Sequence, residues 1–245
     1  MDRNSLKAIL FDLDNTLIDT AGAGVVAIQK TSELLKTALG QNDHCTDDIC
    51  DRFKRKLLHE TFDSAEGRSI DEVRVKHWEE SILEVVSSSY PSLGHKCYYL
   101  WKNTRLELLT LSPPVCNLLK ELRTSYKLLL LTNGETQTQR EKVEAVGCQG
   151  YFDAIVVGGE HAEEKPSPSI FTHCFTLLGV QALHCVMVGD SLYTDILGGF
   201  KAGVRATVWI NNRGGSPPEG SVKPDYTISS VLELPDILAH FKQGS

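Results

Sequence analysis

The chain has 245 residues, of which 41% are hydrophobic and 23% charged. It is therefore longer than the usual single domain and apolar enough to bury a substantial core. Its 25 Lys and Arg against 32 Asp and Glu leave a net charge of −7 at pH 7, which argues against nucleic acid as a partner, because a phosphate backbone needs a basic footprint. The seven cysteines are scattered without a CxxC pair; this argues against a disulfide framework or a zinc site and fits small buried hydrophobes in a reducing compartment.

The opening "MDRNSLK" lacks an apolar signal core, and the apolar run after it is far too short to cross a bilayer. A cytosolic protein with no membrane partner is the expectation. The first strand is "LKAILFDLD", which ends by placing Asp12 and Asp14 on either side of Leu13. Strand alternation points two such side chains the same way. Their repulsion is a cost that stability alone would not select, so they are expected to hold something.

From residue 21 to 109 no buried strand is evident. Val25, Ile28, Leu35 and Leu39 fall at helical spacing up to Gly40, and Ser69-x-x-Glu72 reads as a capping box opening a second helix with Val73, Trp78, Ile82 and Val85. "HKCYYLWKNTRLELLT" predicts a third helix and "TDDICDRFKRKLLHE" a fourth. The segment reads as an all-helical insertion, and its start directly after the two aspartates favours a cap over the carboxyl ends of the strands.

Beyond it, "YKLLLLTNG", "FDAIVVGGE", "HCVMVGD" and "ATVWINN" are near-continuous apolar runs, the pattern of parallel strands buried on both faces. "DYTISSVLELPDIL" adds a sixth strand and a last helix after the Gly/Pro-rich loop "NNRGGSPPEGSVKPD". Ser112-Pro113 and Ser167-Pro168 offer capping hydroxyls with proline at the first helical position, Thr138-x-x-Glu141 a capping box, and Gly147 and Gly179 helix stops. The predicted class is α/β: a doubly wound, mostly parallel sheet in residues 1–20 and 110–245, with a helical cap domain in 21–109.

Asp190 terminates the strand "CVMVG" and Asp195 falls in the first turn of the helix that follows. Both should lie at the sheet edge occupied by Asp12 and Asp14. Converging carboxylates call for a hard divalent cation, and Mg²⁺ suits a site that mixes carboxylates, water and substrate phosphate. Thr132, Asn133 and Gly134 place a hydroxyl and backbone amides at another strand end, a cradle for an anion. Lys165 stands just before a proline-initiated helix, where its long arm can reach a phosphoryl oxygen.

The ordered set "DLDNT", "LLTNG", "EEKPSP" and "GDSLYTD" resembles the four motifs of the haloacid dehalogenase superfamily of phosphohydrolases, and the helical insertion stands where that family carries its cap. The resemblance spans the whole chain. It implies a Rossmann-like core and a Mg²⁺-dependent phosphomonoesterase for a small phosphate ester. Asp12 is then the nucleophile that forms an aspartyl-phosphate, and Asp14 the general acid and base. Asp14 must be protonated in the first step, and the nearby Asp12 is expected to favour that. The resemblance further implies that Thr132, Asn133, Gly134 and Lys165 hold the phosphoryl oxygens. Asp12, the Asp14 backbone carbonyl and Asp190 would bind the metal, with Asp195 acting behind them.

In the insertion, Arg105, Arg68 and His77 are the candidates to contact the rest of the substrate, and Arg74, another arginine of this segment, reads as surface charge. His173 and His184 sit in apolar stretches and read as core residues. Phosphoglycolate, a nucleotide or a sugar phosphate are alternative substrates for the same chemistry. A phospho-receiver signalling module also combines acids, a hydroxyl and a lysine, but the insertion at 21–109 argues against it. An inactive phosphatase-like scaffold is disfavoured by the complete motif set. A monomer is the expected state.

Overall fold

The computed structural model describes residues 5–40, 43–61, 67–212 and 214–242. The chain divides into two compact units, one formed by Met1–Asp19 with Thr110–Ser245 and the other by Thr20–Leu109.

The first unit is built on a six-stranded parallel sheet: β1 (Ala8–Phe11), β2 (Lys127–Thr132), β3 (Ala154–Val157), β4 (Cys185–Gly189), β5 (Ala206–Ile210) and β6 (Tyr226–Ile228). Their spatial order is β3-β2-β1-β4-β5-β6. The chain fills one side of β1 and then returns to fill the other, so β1 and β4 flank a topological switch point. Crossovers leaving there go to opposite faces and open a crevice at the carboxyl ends of the strands.

The strands are apolar on both faces because both are covered. Ala8, Leu10, Leu129, Leu131, Cys185 and Met187 pack with Ile170, Phe171, Cys174 and Phe175 of helix α7 (Pro168–Leu178). The alternate residues Ile9, Phe11, Leu128, Leu130, Val186 and Val188 are equally buried. Burial of such side chains stabilises the core by about 1.5–3 kcal/mol each. The other helices of this unit are α5 (Pro113–Arg123), α6 (Thr136–Val146), α8 (Leu197–Ala202) and α9 (Leu234–Lys242).

Helix α6 starts earlier than Thr138 predicts. Glu135 is the cap, its carboxylate accepting from the amides of Gln137 and Thr138, because it precedes two orphan N–H groups and favours the positive helix end. Ser112 and Ser167 stand at cap positions before Pro113 and Pro168, yet neither makes a side-chain cap bond. Ser167 instead donates to Glu163. Gly147 and Gly179 end their helices in the left-handed region as expected.

The second unit comprises α1 (Thr20–Leu39), α2 (Asp43–Leu58), α3 (Ile70–Val86) and α4 (Pro91–Leu108). Ser69 and Glu72 form the predicted capping box of α3. The buried stripe of α1 is Ala23, Ala27, Thr31 and Leu35, while Val25 lies on its exposed side. Small residues allow close helix approach, so size rather than hydropathy selects the face. The core centres on Phe53 stacked on Trp78, ring centroids 3.9 Å apart, with Trp101 edge-on at 5.2 Å. Asp71 ties this core to α4, accepting from the Tyr98 hydroxyl and from Lys102 at 2.8 and 2.9 Å.

Five of the seven cysteines are buried. His184 is buried, but His173 is exposed because the core face of α7 is taken by Ile170, Phe171, Cys174 and Phe175. Among the described residues no helix is long and apolar enough to cross a membrane.

Candidate active site

The strand end after β1 is held by its neighbour. The Asp12 amide donates to the Val188 carbonyl at 2.9 Å and extends the pairing with β4 by one residue. The chain then turns tightly. The Leu13 carbonyl accepts from the amides of Leu17 and Ile18, and Asn15 adopts the left-handed region at φ 58°, where asparagine is among the tolerated residues. Leu13, between the two aspartates, is fully buried.

Lys165 is the hub. Its side chain is 1% exposed, and its ammonium donates to Asp12 Oδ1 at 2.7 Å, Asp195 Oδ1 at 2.7 Å and the Leu131 carbonyl at 2.8 Å. All three of its donors are used. Burial opposes its charge, but the carboxylates of Asp12 and Asp195 hold its pKa above the ordinary lysine value. Burial in turn pushes Asp12 up to about 7, with Asp195 and Asp14 adding to the rise and Lys165 opposing it. Asp190 is raised to about 6, first by burial and then by Asp12. Asp195 is raised by burial against the pull of Lys165.

Carboxylate oxygens of Asp12, Asp190 and Asp195 lie within 4.8 Å of one another. One lysine cannot balance three such charges, and an all-oxygen donor set of this size fits a hard divalent cation. Asp195 reaches this position because residue 189 is glycine. A Cβ there would collide with Asp195 Oδ2, the oxygen that accepts from the Ser191 amide at 3.0 Å. Asp190 is steadied through its carbonyl by the Trp209 indole at 2.8 Å.

Thr132 ends β2 with a buried hydroxyl that has no partner among the described residues. A buried donor left unsatisfied requires an explanation, and at a strand end beside the site a bound ligand supplies one. Asn133 is differently engaged. Its carboxamide donates to the Lys165 carbonyl at 2.8 Å and accepts from the Lys165 amide at 3.0 Å, clamping the segment that carries the lysine. The Gly134 amide donates to Glu164 at 3.1 Å. Residue 134 must be glycine, because its φ is 114° and a Cβ would stand 2.9 Å from Gln139 Nε2.

Two residues that sequence reasoning missed surround Asp14. Lys142 Nζ donates to its two oxygens at 2.9 and 2.7 Å, and Gln139 Nε2 donates to Oδ2 at 3.1 Å. The only sequence signal is their i, i+3 spacing on α6, which places them on one face beside buried Val143. Asp14 is thus bound to a cation as well as being close in sequence to Asp12, a partner the acid-pair reading did not include.

In the helical unit, the Arg105 guanidinium lies over the Trp101 ring at 4.4 Å. His77 Nε2 is 3.3 Å from Glu60, which Arg74 also grips at 2.9 Å, so Arg74 is a partly buried partner rather than loose surface charge. Arg68 is exposed just before the α3 cap.

A buried carboxylate bonded to a buried lysine, an unpartnered hydroxyl and an acidic triad thus gather at the carboxyl ends of the strands, the arrangement of a carboxylate-based centre. The chain belongs to the haloacid dehalogenase-like hydrolase family, whose model matches residues 6–203. It is 52% identical over 239 residues to the N-acylneuraminate-9-phosphatase of Rattus norvegicus, covering 97% of this chain and 96% of that protein. The Homo sapiens enzyme of the same name is 51% identical over the same shares. A crystal structure of a HAD phosphatase from Thermococcus onnurineus matches 95% of this chain and 98% of its own, with TM-score 0.64 and 26% identity.

Proposed function

We propose that this protein is a Mg²⁺-dependent phosphomonoesterase that releases phosphate from N-acylneuraminate 9-phosphate. The observation that carries the substrate is the 52% identity, across 97% of the chain, to the rat enzyme of that name. The bonded cluster of Asp12, Lys165 and Asp195 beside the Thr132 hydroxyl supports the reaction class.

In this reading Asp12 attacks phosphorus with one carboxylate oxygen, and the ester oxygen leaves as the sugar alcohol after taking a proton from Asp14. Asp14 then takes a proton from the water that cleaves the aspartyl-phosphate, which restores both carboxyls. Lys165 favours the ionised form of Asp12 against the opposing effect of burial and offsets the charge of the phosphoryl group, while Thr132 donates to one of its oxygens. Asp195 aims Lys165, and Asn133 clamps its backbone. Asp12, Asp190 and the Asp14 carbonyl would hold Mg²⁺, with Asp195 behind them; bound there, the cation offsets the charge of the carboxylates and phosphate.

The helical unit, residues 21–109, serves as the cap, with Arg105, Arg68 and His77 as candidates for the substrate's own carboxylate and hydroxyls. The enzyme is assigned to the cytoplasm.

The test is a panel of phosphate esters, including phosphoglycolate, a nucleotide and a hexose phosphate, assayed with and without Mg²⁺. N-acylneuraminate 9-phosphate should be turned over best and only with the cation. Preference for another ester overturns the substrate, and full turnover by Asp12→Asn overturns the nucleophile.

A further inference from the structure

Lys142 is a lysine on the buried face of its helix. It is 6% exposed, on the inner face of α6 beside Val143. An ammonium group buried this far is strongly disfavoured unless it is paired. A leucine or methionine would fill the same space without that cost, so the charge itself requires an explanation. It is directed at Asp14, whose two oxygens it binds at 2.9 and 2.7 Å.

Gln139, one helical turn earlier and 5% exposed, adds a third bond to the same carboxyl at 3.1 Å. The same amide nitrogen donates to the Asn133 carbonyl at 2.5 Å, and Asn133 clamps the backbone of Lys165. The contact to Asp14 is therefore built into the frame that holds the lysine of the site. Glycine at 134 is what leaves room for the Gln139 amide.

The Asp14 side chain is 24% exposed and that of Lys142 only 7%. Of the pair, Asp14 is the more exposed. Lys142, the more buried partner, is thus placed to act through the carboxyl. We propose that Lys142, assisted by Gln139, is a positioning residue that fixes the rotamer of Asp14 for its two proton transfers. Left alone at a tight turn, an aspartate carboxyl samples several rotamers. Held by three bonds from one helix, it meets both the leaving oxygen and the attacking water at a set place.

The inference rests on reading Asp14 as the general acid and base, and its test separates the two. Lys142→Met, Gln139→Met, Lys142→Arg and Asp14→Asn are compared on p-nitrophenyl phosphate, whose leaving group departs without a proton, and on the best alkyl ester of the panel. Folding is verified by circular dichroism and thermal melting. For Lys142→Met, kcat on the alkyl ester should fall about tenfold or more, a part of what a general acid contributes, with KM little changed. On the aryl ester, nitrophenolate should appear in a stoichiometric burst followed by slow turnover, because the water step still needs Asp14. Lys142→Arg should recover most of the loss.

Equal losses on both esters without a burst, or no recovery with arginine, overturn the proposal. If Lys142→Met does not fold, Gln139→Met must show the same signature in milder form, and its absence there overturns the proposal equally. Should Asp14→Asn itself show no discrimination between the esters, the acid–base reading has failed. If Asp14→Asn discriminates and the Lys142 and Gln139 variants do not, only the positioning role has failed.

Discussion

Replacing Lys165 by methionine removes a buried ammonium and keeps most of the side-chain volume. Three bonds vanish, to Asp12, Asp195 and the Leu131 carbonyl. Two buried carboxyls then face each other without their counter-charge. Breaking a buried pair by deleting one partner costs about 3–5 kcal/mol. At about 2–4 °C per kcal/mol for a protein of this size, the melting temperature should drop by about 6–20 °C at pH 8 without metal.

The loss is pH-dependent because the carboxyls can escape by binding protons. Asp12 already stands at about 7 with Lys165 present, and Asp195 is also raised. Removing the lysine moves both further up. Their charged-form penalty therefore shrinks as pH falls and each carboxyl takes up its proton. At pH 5 the drop should therefore be smaller, with the lost bond to Leu131, about 1 kcal/mol, part of what remains. Differential scanning calorimetry of both proteins in chelator at pH 5 and pH 8 measures this directly. An equal drop at the two pH values refutes the charge argument and leaves packing as the cause. The double variant Lys165→Met/Asp195→Asn should be less destabilised at pH 8 than Lys165→Met alone.

Gly189→Ala drives a methyl into Asp195 Oδ2; steady-state assays should show kcat down by about 100-fold as the Lys165–Asp195 pair is displaced, and wild-type kcat would show that Asp195 can be elsewhere. Thr132→Val removes a buried hydroxyl that has no protein partner, so the melting temperature should hold or rise slightly while KM and product-phosphate inhibition weaken; a clear loss of stability contradicts its assignment to ligand. Asp12 and Asp190 rise from 3.8 to about 7 and about 6, so both take up protons on folding, and metal-free stability should decline as pH rises from about 4 through 7. Excess Mg²⁺ should therefore raise the melting temperature more at pH 8 than at pH 5, and a shift that is absent or the same at both speaks against a cation among these carboxylates.

Much of this molecule is legible without coordinates. The apolar runs of β1 to β5 are continuous because parallel strands are covered on both faces, so hydropathy alone marks them. Asp12, Asp190 and Lys165 announce themselves by ending strands or preceding a helix, where side chains must gather at one sheet edge. The helical segment is visible from its 3.6-residue spacing and the Ser69 capping box.

Other features had no local signature. Strand order places β1 and β4 side by side though most of the chain lies between them, and only that neighbourhood brings Asp190 to Asp12. Val25 and His173 look buried by hydropathy or context, yet helix packing turns them outward, because the face is chosen by the shape of the partner. Lys142 and Gln139 read as polar residues on an ordinary amphipathic helix until α6 is laid against the end of β1. Composition and periodicity thus determined which elements form and which strand ends carry charge, since those depend on residues close in sequence. The pairings of Lys165 with Asp195, Asn133 with the Lys165 backbone and Lys142 with Asp14 were decided only by tertiary structure, since short-range bonds between distant residues exist only once the sheet has set their elements side by side.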